Sequence, residues 1–223
     1  MGILDPRFFP PPSRILMALW QMLLEGSLWQ HVRISLIRIL LGFLLGSVPG
    51  ILVGLAIGLW KPVRALLSPL IAVLMPIPTM ALVPLIMILF GIGELSKWVT
   101  IATSVFFPVA INTAAGVASI DAVYLEVARN FGASRLAFFT RIALPGALPV
   151  LFEGLQMGEA IALLTIVAAE MVAANSGIGY LIWSSYKTFQ IPQMFVGLLA
   201  IAILGYVFSL LLRMLGRQLT RWR

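Results

Sequence analysis

An all-α integral membrane protein with about five transmembrane helices is the fold class this sequence predicts. Three observations carry that expectation. The chain is 61% hydrophobic and only 10% charged, with a mean hydropathy of +1.06, far outside the range of soluble domains. Charge-free runs lie at 39–60, 65–93, 98–120 and 188–212. Each reaches the roughly 20 residues that a helix rising about 1.5 Å per residue needs to cross the hydrocarbon core. Lysine and arginine flank these runs, as they do where loops meet water beside a membrane. Lipid offers no partner to an unpaired amide or carbonyl, so helices are expected over open sheet.

The first 35 residues precede the first run, and Ser13 to Glu25 can form an interfacial helix on the outer surface. Pro6, Pro10, Pro11 and Pro12, with no apolar core around them, do not read as a cleavable signal peptide. The first span carries Gly42, Gly46, Gly50, Gly54 and Gly58, one glycine every four residues. Such a stripe winds slowly around a helix and lets a second helix approach closely, and Pro49 within it should introduce a kink. The second run holds Pro69, Pro76, Pro78 and Pro84, each lacking a backbone donor. A break near Pro76 and Pro78 is expected, either as a broken span or as a short cytoplasmic re-entry before the true span. The third span is 98–120.

A charged central loop follows, 121–149. Asp121 can cap a helix starting at Ala122, with Leu125, Ala128 and Phe131 on its apolar side. Gly132 suits the left-handed residue that ends such a helix, and Ser134 can cap a second one running to Leu144 and Pro145. Two short helices at an angle make a compact knob. The next span, about 150–174, contains Glu153, Glu159 and Glu170 within apolar sequence. Carboxylates inside a span are costly and often functional. Glu159 and Glu170 are eleven residues apart and share a helix face, which either lines a path or packs against another span. Asn175 to Gly179 should turn into a short outer helix before the last span and a basic tail, 216–223.

Five crossings put Lys61 with Arg64, the central-loop arginines and the C-terminal arginines on one side, which positive charge marks as cytoplasmic. Lys97 and Lys187 then fall outside in short connections. Arg7, Arg14, Arg33 and Arg38, read as preceding the first span, also fall outside, against the charge rule.

The central loop resembles a known element. Glu126-x-Ala128, three residues, Gly132, nine residues, then Ile142-x-Leu144-Pro145 is similar to the cytoplasmic coupling loop of binding-protein-dependent ABC importer permeases, with Val127 in place of the usual middle alanine. Asp5-Pro-Arg-Phe-Phe-Pro-Pro-Pro12, Ile77-Pro-Thr-Met-Ala-Leu-Val-Pro84, Phe90-Gly-Ile-Gly-Glu-Leu-Ser-Lys97, Ala168-Ala-Glu170-Met and Ala174-Asn-Ser-Gly-Ile-Gly-Tyr180 resemble the nitrate/sulfonate/taurine branch. Family members generally carry one more apolar span ahead of the segment that Asp5 begins. Gln156 stands where they often carry a basic residue.

The resemblance implies an extracytoplasmic segment 1–35 and a transmembrane permease domain 36–215 with its two-helix coupling loop. It also implies a homodimer working with ABC ATPase subunits and an extracytoplasmic substrate-binding protein. ATP and magnesium would be bound by the ATPase, with no cofactor on this chain. Glu126, Ala128, Arg129, Gly132, Leu144 and Pro145 would serve ATPase coupling. Glu159, Glu170, Asn175, Pro76 and Pro78 would belong to the translocation path or its gate. A sulfonate, taurine or nitrate is the implied substrate, with heterocyclic vitamin precursors open.

Other function classes find less support in the sequence. A self-sufficient secondary transporter or channel is the alternative, yet the intramembrane carboxylates gather on one span and no clear internal repeat is present. The chain has no cysteine and one histidine, His31, so neither a thiolate nor a histidine metal centre is available. No zinc-protease, serine-nucleophile or phosphate-loop motif occurs, which argues against an enzyme and against ATP binding by this chain. The net charge of +7 sits beside apolar runs and suits membrane lipid, not nucleic acid.

Overall fold

The computed structural model describes residues 8–220, without the side chains of Ala122, Leu125, Arg129, Arg135 and Leu136. Its helices are α1 (Pro12–Leu24), α2 (Ser27–Leu59), α3 (Lys61–Leu74), α4 (Thr79–Phe90) and α5 (Glu94–Ala118). They continue with α6 (Ala122–Asn130), α7 (Arg135–Phe138), α8 (Leu144–Ala173), α9 (Ile178–Lys187) and α10 (Ile191–Leu219). Four of these, α2, α5, α8 and α10, are long and apolar enough to cross a membrane alone, α8 together with the π turn before it.

The bundle is organised by the close contact of α2 with α5. A Cβ added at Gly42 would lie 2.5 Å from Ile101 Cβ, at Gly54 2.6 Å from Thr113 Cβ, and at Gly58 2.7 Å from Val117 Cγ1. At Gly46 it would strike the Ala102 carbonyl, and at Gly50 it would lie 3.0 Å from the Phe106 carbonyl. All five glycines of the stripe therefore face α5, where only hydrogen fits. Contact positions rise together along both helices, so α2 and α5 are parallel. On an adjoining face of α5, Gly116, Gly154 and Gly158 bring α8 in antiparallel, with Gly116 against Ala147 and Gly154 against Asn112. Ile39, Phe43, Ile101, Val105, Leu155 and Ile166 fill the core between the three helices.

Parallel α2 and α5 decide the nature of the proline-rich segment. The chain leaves α2 at one face of the bundle and enters α5 at the other, so α3 and α4 together must cross. They do so as a broken span bent by 99° at residues 75–78. Pro76 and Pro78 remove two successive chances to continue the helical hydrogen-bond ladder, and both lie exposed at the bend. Pro49, by contrast, sits inside α2 without ending it.

The first span is longer than its charge-free run. Gly26, left-handed at φ 73°, is the first residue that breaks the helix upstream, so α2 starts at Ser27 and contains Arg33 and Arg38. These arginines are therefore helical residues and not loop charges. α1 packs Ala18 and Met22 against Leu28, Leu181 and Val196 at the outer end of the bundle. Leu16, Met17, Trp20, Leu23 and Leu24 remain exposed along one side of it.

Glycine at these contacts is a packing requirement with a measurable cost. Gly46→Val should lower stability by about 2 kcal/mol or more through overpacking against the α5 backbone. Gly93→Ala, where an added Cβ meets nothing within 4 Å, should change it by less than about 0.5 kcal/mol. Thermal melts of the detergent-purified chains check both values.

Candidate functional site

Two constellations of polar groups stand at opposite ends of the bundle. At the inner end, where Lys61, Arg64, Arg141, Arg213 and Arg217 gather, the central loop folds as two short helices. The Asp121 carboxylate accepts the Val123 amide at 2.9 Å, capping α6, and Ser134 Oγ accepts the Ala137 amide at 3.2 Å, capping α7. Gly132 is left-handed at φ 63°, and the Ala133 amide closes back on the Ala128 carbonyl at 3.0 Å. The chain then passes through a π turn, Phe139–Ala143, directly into α8. Pro145 would crowd the carbonyl four residues earlier in a regular helix, and the wider turn relieves this.

Ala128 is buried, while Glu126 points to solvent. Leu144 packs with Phe139 against Leu55 and Val117, so the knob is fastened to the ends of α2 and α5. Arg129 lies within α6, but its side chain falls outside the described set. One expectation fails here: Phe131 does not share the buried side with Ala128. It is 86% exposed and continues the side of Tyr124 and Val127, which are 66% and 48% exposed. These three residues stand at i, i+3 and i+7, so one face of the knob is apolar, aromatic and uncovered. Phe131 lies just beyond α6, one position before the left-handed turn, on the side away from the bundle.

At the outer end, Arg38 is 3% exposed and ties three helices together. Its Nε donates to Glu94 Oε2 at 2.7 Å and its Nη2 to Glu94 Oε1 at 2.5 Å, a two-pronged pair. Its Nη1 donates to Glu170 Oε1 at 2.8 Å and to the Ser176 carbonyl at 2.7 Å. Glu170 is fully buried. It also accepts the Gly179 amide at 2.8 Å, and Ser35 Oγ lies 2.8 and 2.9 Å from its two oxygens. Ser35 Oγ in turn accepts the Ile178 amide at 2.8 Å, and His31 Nδ1 accepts the Gly177 amide at 3.1 Å. Lys97 Nζ stands 3.6 Å from Glu94 and donates to the Gly93 carbonyl at 3.0 Å.

Two cations and two carboxylates balance in this cluster. Nearly every buried lone pair has a donor, which is what makes buried charge tolerable. Gly177, at φ 115°, fits because any Cβ there would collide with the Glu170 carboxylate. The cluster thus closes α2, α5, α8 and the start of α9 on one another. Lys97, expected in an outer connection, is instead 5% exposed in the first turn of α5.

The remaining residues singled out in the sequence do not converge. Glu159 is 4% exposed and faces α10, with one oxygen 4.0 Å from where a Cβ of Gly205 would lie. It does not share neighbours with Glu170 despite the common helix face. Asn175 is exposed in the bend before α9, and Pro76 and Pro78 lie at the α3–α4 bend. The sequence reading missed Ser35 and Arg38 as partners of Glu170, and Glu94 as the second carboxylate on Arg38. The available signal was charge balance: one arginine and two glutamates, each at the same end of a different span.

Comparison with known proteins agrees with this architecture. A family model described as "Binding-protein-dependent transport system inner membrane component" matches residues 46–222, and the chain belongs to that family. It is the permease subunit of an ABC importer, a multi-pass protein of the prokaryotic inner membrane that transports and does not catalyse. The Taurine transport system permease protein TauC of Escherichia coli strain K12 is 39% identical over 227 residues, covering 100% of this chain and 82% of TauC. The SsuC permease of Bacillus subtilis strain 168, named for aliphatic sulfonates, is 34% identical over 100% of this chain and 81% of its own length. The fold matches a structure titled as an inward facing conformation of the MetNI methionine ABC transporter, with a TM-score of 0.67 at 19% identity. That match covers 90% of this chain and 98% of the other.

The outer cluster makes a stability prediction. Arg38→Met leaves the Glu170 carboxylate buried without its cation and should cost about 3–5 kcal/mol. Arg38→Met combined with Glu170→Gln should recover a large part of that loss, because the amide oxygen still accepts from Gly179 and Ser35. Thermal melts of the single and double variants measure the difference.

Proposed function

We propose that this chain forms the translocation path of a homodimeric importer for a sulfonate such as taurine, driven by a separate ABC ATPase and fed by an extracytoplasmic binding protein. The observation that carries the coupling part is the uncovered Tyr124, Val127 and Phe131 face on a capped helix at the basic end of the bundle. An aromatic, rigidly presented patch in water is what a protein groove recognises. Glu126 flanks it as a rim carboxylate, Arg129 stands on the same helix, and Gly132 sets the turn. Ala128, Leu144 and Pro145 hold the knob to the spans, so that force on α6 is passed to α8 through the π turn.

The substrate reading is supported by full-length relatives named for taurine and for aliphatic sulfonates. The α3–α4 bend at Pro76 and Pro78 supplies irregular backbone within the membrane, which is tolerated where it lines a watery path or a partner surface. In this reading Glu170 locks the outer end through Arg38, Asn175 lies where a docked binding protein meets α9, and Glu159 braces α8 against α10. α1 rests in the outer interface with its exposed apolar side in lipid.

Gly132→Leu should place a branched side chain in a left-handed residue, strain the turn by about 1–2 kcal/mol and displace the α6 face. ATPase co-purification should fall while membrane insertion stays normal, and unchanged ATP-driven uptake would sink the coupling role. In proteoliposomes with its ATPase and binding protein, the chain should import taurine or alkanesulfonates only with ATP. Uptake that persists without any ATPase would favour a self-sufficient transporter.

A further inference from the structure

A cavity of about 870 Å³ opens at the inner corner of the bundle, between the α2–α3 junction, the end of α5 and the knob. We propose that it binds the headgroup of an anionic phospholipid of the inner leaflet. Its wall carries Lys61 and Arg64, and no carboxylate stands among its described lining residues. Arg64 Nε and Nη2 donate to the Ile57 and Gly58 carbonyls at 3.1 and 2.8 Å. The guanidinium is thus fixed in place, and the negative end of α2 is covered. Lys61 is exposed, pairs with no described carboxylate, and opens α3, whose first amides add positive potential beside it.

The rest of the wall decides which anion suits the site. Trp60, Phe138 and Phe139 line it with apolar carbon, and Trp60 is 57% exposed where α2 ends. A tryptophan beside two cations at the end of a span marks the boundary between headgroups and acyl chains. A small soluble anion would satisfy the cations and leave these walls against water. A phospholipid matches both halves, phosphate to Lys61 and Arg64 and glycerol and upper acyl carbons to the aromatic wall. Zwitterionic headgroups bring a cation of their own into a site that already holds two. Basic pockets at the cytoplasmic ends of spans take anionic headgroups on the same grounds. The volume is within the range of ligand sites, roughly 300–1,000 Å³. Ala128 lines the same cavity, so a bound lipid would touch the broken span and the knob together.

The test is lipid retention by the full-length chain, released from phosphatidylcholine nanodiscs with and without phosphatidylglycerol and weighed by native mass spectrometry. Wild type should keep phosphatidylglycerol in preference to phosphatidylcholine. Lys61→Gln should weaken that retention several-fold, Lys61→Gln with Arg64→Gln roughly tenfold or more, and Lys61→Arg should preserve it. Ala118→Phe, which fills the cavity while both cations remain, should also abolish it. Because Arg64 covers carbonyls of α2, the Lys61→Gln and Ala118→Phe variants keep the test valid if the double variant melts early. Equal retention of both lipids by wild type, or unaltered retention in Lys61→Gln and Ala118→Phe, overturns the assignment. Displacement of the lipid by inorganic phosphate overturns it in favour of a soluble anion.

Discussion

Close approach of α2 to α5 along one glycine stripe is the constraint from which the rest of the architecture follows. Without side chains at the contact, two helical backbones meet where van der Waals contact can hold them, and in lipid such contact replaces the hydrophobic drive that water would supply. Because the stripe recurs every four residues and the contacts rise in step on both helices, the pair is parallel. A parallel pair joined by one connector forces that connector across the membrane. The bent α3–α4 span is therefore a topological necessity, and its prolines locate the bend without creating the crossing.

Charge then divides the two ends by different means. One end gathers arginines and lysines, in keeping with the positive-inside bias. At the outer end Arg38 is folded into the helix bundle and balanced by Glu94 and Glu170. A cation satisfied inside the protein does not act as a free loop charge, so Arg38 no longer conflicts with the orientation. The same network stiffens this end, because α2, α5 and α8 are tied there by charge-assisted hydrogen bonds. At the inner end the knob is joined by packing and a π turn. The bundle is thus braced by buried charge at one end and presents an uncovered aromatic surface at the other.

Family membership places this arrangement in an importer permease, whose knob has two distinct faces. The aromatic face of α6 is offered outward, while Ala128 and Leu144 look inward to the spans. The knob is continuous with α8 through residues 139–145 and packs on the ends of α2 and α5, while α8 meets α5 at Gly116 and Gly154. Contacts made on glycine are stiff, since few flexible side chains stand at them.

Much of the fold was legible in the sequence because the membrane imposes strong, one-dimensional rules. Hydropathy set the number of spans to within one, the glycine register announced a tight contact, and Asp121, Gly132 and Ser134 marked the helix ends of the knob. These depend only on local sequence and on lipid as the solvent. Tertiary structure alone decided what met what. It showed that the glycines face α5, that the proline segment crosses, and that Glu159 and Glu170 serve different neighbours despite a common face. It also showed that Phe131 turns outward, and that Arg38 joins Glu94 and Glu170 across 56 and 132 residues of chain. Hydrophobicity and periodicity describe one helix at a time, whereas pairing of buried charges is set by the packing of several, which no single segment encodes.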